Sequence, residues 1–283
     1  MLKYHTIAEL RQQVANWRQA GERIALVPTM GNLHEGHLHL VEVARSLADR
    51  TVASIFVNPL QFGPNEDFDS YPRTLDQDSH KLTAAGLDLL FAPSVNEVYP
   101  RGLTGTTRVT ITGLTDPLCG RSRPGHFDGV ATVVTKLFNM VQPDIAVFGE
   151  KDRQQLRVIE QIVTDLNMPV TVVGVPIVRE ADGLAMSSRN RYLSPDERRI
   201  APELHRQLQQ AAARLRRGER YTTIEVEAKA ALTEAGFRPD YFEVRRTDDL
   251  DRPTADDDEL AIFVAAWLGR TRLIDNLVIN EQR

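Results

Sequence analysis

The sequence predicts an α/β protein: a parallel sheet with helices on both faces, followed by a smaller C-terminal α+β domain. Two observations carry that expectation. Short apolar runs without polar alternation, at 24–27 (IALV), 51–57 (TVASIFV), 88–92, 144–148 and 170–175, are separated by stretches of helical periodicity. After Pro176 the order changes to two helical stretches and then three strand-like runs. The expected domains are therefore 1–176 and 177–283.

Thr6 suits the N-cap of a helix carrying Ile7, Leu10, Val14 and Trp17, closed by Gly21. The strand at 24–27 then leads through Pro28-Thr29-Met30-Gly31-Asn32-Leu33-His34-Glu35-Gly36-His37 into a helix predicted at 38–50, where Leu38, Val41, Ala44 and Leu47 recur at helical spacing. A helix start offers unpaired N–H groups and a partial positive charge, which suit phosphate. Gly31 and Gly36 allow close approach to the backbone, and His34 and His37 can donate to charge developing on phosphate oxygens. His39 reads as an ordinary polar residue. Zinc is disfavoured: helical zinc pairs sit four apart, and no cysteine cluster supplies further ligands.

The strand at 51–57 ends at Asn58-Pro59 and opens a long polar loop, 60–73, containing Gln61; such loops at strand ends are often functional. A helix at 74–86 and the strand at 88–92 follow. The Gly- and Thr-rich segment 101–118, with alternating Val109 and Ile111, predicts an exposed strand or hairpin. Beyond 121–127 (RSRPGHF) a helix runs through Val130, Val133, Val134, Leu137 and Val141. The strand at 144–148 then carries Gly149-Glu150-Lys151-Asp152 at its C-terminal end, before a helix at 153–166 and the strand at 170–175. Ligands of parallel sheets bind at strand C-termini, near a switch in strand order. The histidine turn and the 149–152 loop both fall at that edge.

In the C-terminal part, 185–190 (AMSSRN) is a polar loop. Pro195 starts a predicted single helix to about Arg217, and a second helix covers 222–236. The strands are expected at 241–244, 260–267 and 272–278, with an acidic turn at 256–259. Lys151 is a point cation at a strand end; Ser187, Ser188 and Arg189 offer two hydroxyls and a forked guanidinium.

Across 283 residues the chain is 42% hydrophobic with a net charge of −5, so it can build a core and carries no basic footprint for nucleic acid. One cysteine, Cys119, excludes an internal disulfide and fits a reducing compartment. No secretory pattern opens the chain and no apolar run is long enough to span a bilayer, so a cytoplasmic protein with no membrane partner is expected.

These motifs together resemble the pantoate–β-alanine ligase family, part of the nucleotidyltransferase-like group with a "HIGH" signature. The matching stretches are 28–37, 56–62 (FVNPLQF), 123–127 (RPGHF), 142–155 (QPDIAVFGEKDRQQ), 182–193 (DGLAMSSRNRYL), 265–269 (AAWLG) and 273–276 (LIDN), nearly end to end. Arg153 departs from the aromatic residue found there in many relatives. The resemblance implies a Rossmann-like N-terminal domain and a C-terminal lid. It implies adenylation of pantoate by ATP with Mg²⁺, then attack by β-alanine. It implies ATP contacts from Met30, Gly31, Asn32, Leu33, His34, Glu35, Gly36, His37, Gly149, Glu150, Lys151, Asp152, Val178, Met186, Ser187, Ser188 and Arg189. His37, His34, Lys151 and Arg189 are implied as catalytic, Gln61 and Gln155 as pantoate ligands, and Gln61 also as a β-alanine ligand. A homodimer is implied, with 107–112 the candidate contact, and a lid-like loop is expected at 64–71. Two other readings use the same phosphate groups: a transferase that keeps the nucleotide in its product, and an ATP-sensing module. Amine-dependent AMP release would exclude the first, and pyrophosphate release the second.

Overall fold

A computed structural model describes residues 1–64, 66–254, 257 and 259–280, the side chain of Asn280 excepted. The loop expected at 64–71 and the acidic turn at 256–259 thus lie partly outside the described residues. The chain divides into two compact units: Met1–Thr112, Arg123–Glu150 and Gln155–Pro176 form the first; Gly113–Ser122, Lys151–Gln154 and Ile177–Arg283 form the second.

The first unit runs β1 (Leu2–Tyr4), α1 (Ile7–Gln19), β2 (Ile24–Thr29), α2 (Glu35–Leu47), β3 (Arg50–Ile55), α3 (Leu75–Ala84), β4 (Leu89–Phe91) and α4 (Val95–Val98). After α5 (Cys119–Ser122), which belongs to the second unit, it resumes with α6 (His126–Val141), β5 (Ile145–Gly149), α7 (Arg153–Asp165, its first two residues counted with the second unit) and β6 (Thr171–Val175). The strands order as β1-β4-β3-β2-β5-β6 with every pair parallel. The chain lays β3 and β4 on one side of β2, then returns to place β5 on the other. The strand order therefore switches between β2 and β5, whose C-terminal ends lead into the histidine turn and the Gly149-Glu150 corner.

Both faces of β2 are buried, which explains its unbroken apolar run. Ala25 and Val27 pack with Val41 and Ala44 of α2. Ile24 and Leu26 alternate to the opposite face, where α6 packs on β2 and α1 on α6. Thr6 caps α1 in a reciprocal box with Glu9.

Several elements of the first unit differ from expectation, the unanticipated α4 among them. β1 was not anticipated; its three residues pair at the sheet edge with Leu89, Leu90 and Phe91. α2 begins at Glu35 and ends at Leu47, because His34 itself supplies the cap, and Arg50 opens β3 instead. Segment 101–112 forms no strand among the described residues: the Val109 N–H goes to the Thr132 hydroxyl (3.0 Å) rather than to a ladder.

In the second unit, α8 (Pro195–Ile200), α9 (Glu203–Leu215) and α10 (Tyr221–Glu234) precede β7 (Arg238–Arg246), β8 (Glu259–Leu268) and β9 (Thr271–Asn280), an antiparallel meander in the order β7-β8-β9. Leu204, Leu208 and Ala211 of α9 and Ile224, Ala228 and Leu232 of α10 share a core with Phe242, Val244, Ile262, Val264 and Leu273 of the sheet. The other face meets the segment 113–122 through Arg121–Glu243 (2.7 Å) and Cys119–Tyr241 (3.1 Å). The single helix expected from Pro195 is two helices. Pro202 has no N–H to continue the α8 ladder and starts the next helix instead.

Candidate active site

The histidine turn lies in the first unit. His34 is the N-cap of α2, and its Nδ1 accepts the Gly36 N–H (3.1 Å) while the Nδ1 of His37 accepts the His34 N–H (3.3 Å). This is a capping box made by two imidazoles. Because each Nδ1 accepts a backbone proton, each ring carries its own proton on Nε2, the tautomer that presents an N–H donor. The ring centroids lie 4.0 Å apart. Glu35, in the first helical turn, is exposed.

The turn is held from below by α3. The buried Asp78 accepts the Asn32 N–H and the Leu33 N–H, both at 2.8 Å, and the Thr74 hydroxyl at 3.0 Å. Lys81 Nζ donates to the Leu33 carbonyl at 2.6 Å. Gly31 and Asn32 are both left-handed, with φ of 81° and 52°. A Cβ on Gly31 would stand 3.0 Å from Ile55 and 3.1 Å from the Asp78 carboxylate, so glycine is required by conformation and by space. Leu33 turns its side chain into the core and has both backbone polar groups engaged.

Gln61 is buried in a short 3-10 turn, Pro59–Gln61. Its amide is oriented by a relay: Tyr99 Oη donates to Asn58 Oδ1 (2.8 Å), and Asn58 Nδ2 donates to Gln61 Oε1 (3.1 Å) and to the Gly129 carbonyl (3.0 Å). The Gln61 Nε2 then points to Met30 Sδ at 3.1 Å, so the structure brings two of the expected residues together. Burial pushes the Tyr99 phenol well up, keeping it a donor. Gly129 lets the turn approach α6; a Cβ there would lie 2.2 Å from the Leu60 carbonyl oxygen.

The 123–127 motif gains a role. His126 Nδ1 contacts the Gln61 carbonyl at 2.7 Å, and Arg123 donates to the same oxygen at 3.4 Å while pairing with Glu66 at 2.5 and 2.6 Å. Burial alone would raise the Glu66 carboxyl, but the hydrogen bond and charge of Arg123 hold it below the ordinary carboxylate range. Gln155 is half-buried in the first turn of α7, and Glu150 lies against β6 at Gly174.

The expected cations lie in the second unit. Lys151 and Asp152 follow Gly149 and Glu150 in a 3-10 turn, 4.0 Å apart as an ion pair. The Lys151 carbonyl accepts from Asn276 Nδ2 at 2.9 Å. Val178 faces Met186, whose N–H it accepts at 3.0 Å. Ser187 caps the turn Ser188–Tyr192, its hydroxyl accepting the Arg189 N–H at 3.2 Å. Gln154, buried beside Lys151, ties the turn to the segment before α5. Its Nε2 donates to the Leu114 and Pro117 carbonyls and its Oε1 accepts the Cys119 N–H.

Sequence reasoning did not single out the residues that hold these turns from behind: Asp78, Lys81, Asn58, Gln154 and Asn276. Asp78 had a readable signal. It occupies the apolar stripe of α3 between Leu75 and Leu82, where an acidic residue needs a buried partner. Asn276 lies in the 273–276 motif, but nothing in that motif names its partner, a backbone carbonyl far away in sequence.

A family model described as Pantoate-beta-alanine ligase matches residues 3–278. A pantothenate synthetase of Alkalilimnicola ehrlichii is 58% identical over 100% of this chain and 99% of its own length. One from Pseudomonas fluorescens is 60% identical over 97% of this chain and 96% of its own. Among solved structures, pantothenate synthetase from Thermus thermophilus superposes with a TM-score of 0.91 at 48% identity, covering 98% of this chain and 99% of that one. Pantoate-beta-alanine ligase from Francisella tularensis, complexed with beta-gamma ATP and beta-alanine, gives 0.81 at 33% identity, covering 98% and 97%.

Proposed function

The chain belongs to the pantoate–β-alanine ligase family, and from that premise we propose how its own residues divide the work of the reaction. It is an ATP-dependent ligase that condenses pantoate with β-alanine to pantothenate. The proposed course has two steps. A pantoate carboxylate oxygen bonds to the α-phosphorus of ATP as the bond to pyrophosphate breaks. The β-alanine amine then attacks the acyl carbon, and AMP leaves with the bonding pair while the nitrogen loses its proton. A free carboxylate is a poor acyl donor, and the mixed anhydride makes it a good one.

The observation that carries this reading is the reciprocal histidine cap. Two imidazoles with Nδ1 committed to backbone N–H groups present Nε2–H donors at the start of α2. That arrangement suits charge growing on the departing pyrophosphate without a proton having to be acquired first. Met30–His37 line the nucleotide site in this proposal, though Leu33 serves it by shape alone. Gly149, Glu150, Asp152, Val178, Met186 and Ser188 hold nucleotide, while Lys151, Ser187 and Arg189 neutralise the outer phosphates. Gln61 and Gln155 hold pantoate by neutral amides that leave the nucleophilic carboxylate its charge, and Gln61 also meets β-alanine. The C-terminal unit acts as a lid.

Mg²⁺ enters as part of the substrate, MgATP. Magnesium is commonly held by phosphates and water rather than by an all-protein cage. No helix of the described residues is long and apolar enough to cross a membrane. A single buried thiol fits work in the cytoplasm. A homodimer through 107–112 is part of the same reading, and a monomer in sedimentation at micromolar concentration would remove it.

The test is pyrophosphate release from MgATP with and without pantoate, followed by β-alanine. A pantoate-dependent burst that becomes steady turnover with β-alanine supports both steps. His37→Ala is expected to slow the burst by about 10²–10³-fold. ATP binding without pantoate-dependent pyrophosphate would sink the reading.

A further inference from the structure

The meander of the second unit carries a carboxylate in an apolar row. Along β9, Leu273, Leu277 and Ile279 face the helices and join the core, and Asp275 occupies the place between them. Its side chain is 2% exposed. A carboxylate so placed is tolerated only with a close cation. Arg179 supplies one through two bonds, 2.7 and 3.0 Å, to the two carboxylate oxygens.

Arg179 lies at the root of the basic turn. It stands opposite Ala185 in an antiparallel bridge, and its guanidinium also donates to the Gly183 carbonyl at 3.1 Å. The chain leaving Ala185 runs directly into Met186, Ser187, Ser188 and Arg189. The next residue of β9, Asn276, turns to the opposite face and holds the Lys151 carbonyl at 2.9 Å. Consecutive residues of one strand thus anchor both pieces of chain that carry cations. An apolar pair would stabilise β9 as well or better. A forked ion pair adds a fixed guanidinium plane, which apolar contact cannot give.

We propose that Asp275 and Asn276 are positioning residues for the adenylation step: Asp275 sets the basic turn through Arg179, and Asn276 sets Lys151 through its carbonyl. The proposal rests on the reading that Lys151, Ser187 and Arg189 meet the phosphates of ATP.

The experiment is single-turnover pyrophosphate release at saturating MgATP and pantoate, scaled to folded enzyme by equilibrium unfolding. Asp275→Asn keeps the shape and removes the charge. Asn276→Ala, milder, keeps the test open should the first variant not fold. Each is expected to slow release per folded molecule by about 10- to 100-fold, with pantoate affinity unchanged. In an Arg189→Ala background, Asp275→Asn should cost less than about threefold more, because both disable one turn; Asn276→Ala should behave likewise over Lys151→Ala. Wild-type release per folded molecule, or losses that multiply in full across these pairs, would overturn the proposal. If Arg189→Ala and Lys151→Ala themselves leave release unchanged, the phosphate reading falls first and takes the proposal with it.

Discussion

The histidine turn and the basic turn are held in place by different means. In the first unit a single carboxylate, Asp78, collects two consecutive backbone N–H groups of the turn, and Lys81 takes the carbonyl between them and the helix. In the second unit side chains hold chiefly side chains: Arg179 to Asp275, Asn190 to Glu180, and Arg198 to both Glu180 and Asp182, with Arg179 and Asn190 also donating to the Gly183 and Ala185 carbonyls. A clamp on the backbone fixes the path of the chain whatever side chains the turn carries. A clamp between side chains fixes a loop only while both partners keep their charge and shape. The histidine turn must present two rings from one rigid helix start, and the backbone clamp suits that. The basic turn leans on ion pairs, which respond to salt and to pH.

The largest effect should come from removing the backbone clamp. Asp78→Ala leaves the Asn32 and Leu33 N–H groups without their acceptor in a buried place. It is expected to destabilise the fold by about 2–4 kcal/mol in urea unfolding. If the loss is within a few tenths of a kcal/mol, the turn is held by something else and the comparison fails. Gly31→Ala tests the same corner by conformation rather than by hydrogen bonding. A left-handed φ together with contacts of 3.0 and 3.1 Å predicts a loss of about 1–3 kcal/mol. A neutral result would mean that Asp78 and Ile55 can give way, and that the clamp is looser than its distances suggest.

A smaller effect is expected on the other side. Arg198 bridges Glu180 and Asp182 at 2.6 Å each, but the three side chains are 32–42% exposed, so water screens the pairs. Arg198→Ala should cost about 0–1 kcal/mol, shrinking as salt is raised. A cost that salt does not touch would show that Arg198 acts by packing, and would narrow the contrast between the turns.

The same contrast explains what was legible in the sequence. The parallel strands were readable because burial on both faces leaves apolar runs such as 24–27, and the order of elements then located the sheet edge. The capped start of α1 was readable because Thr6 and Glu9 interact locally. The cap of α2 was missed: histidine is an unusual cap, so the periodicity beginning at Leu38 set the boundary too late. β1 escaped because three edge residues, one side only of a ladder, leave no pattern. The strand or hairpin predicted within 101–118 followed the alternation of Val109 and Ile111 alone, and alternation does not supply a pairing partner. The expected helix from Pro195 ran through Pro202 because the apolar spacing continues across it. The residues proposed to meet a ligand fall in short motifs, and so do Asp275 and Asn276, but the partners these two hold lie 96 and 125 positions away.

The finest test of the comparison is titration. His205 lies beside the Arg179–Asp275 pair, its Nδ1 3.8 Å from the carboxylate. Burial, and then the charge of Arg179, push its pKa below the ordinary 6.5, against the pull of Asp275. With the folded pKa below the unfolded one, the unfolded chain takes up the proton first as pH falls, so folding stability rises with pH through this range. The full contribution is present above about 6.5 and is lost as pH falls through the folded value. The carboxylates held low by arginines, such as Glu66 and Asp182, have ordinary values of 4.5 and 3.8 and act only in more acid solution. Melting temperature measured between pH 5 and 7.5 should therefore decline toward pH 5 in the wild type and flatten in His205→Gln. Equal slopes in the two proteins would mean that the ion pair under the basic turn does not sense the imidazole. The side-chain clamp would then be as indifferent to mild acid as a carboxylate on backbone N–H groups, leaving salt as the one lever that separates the two turns.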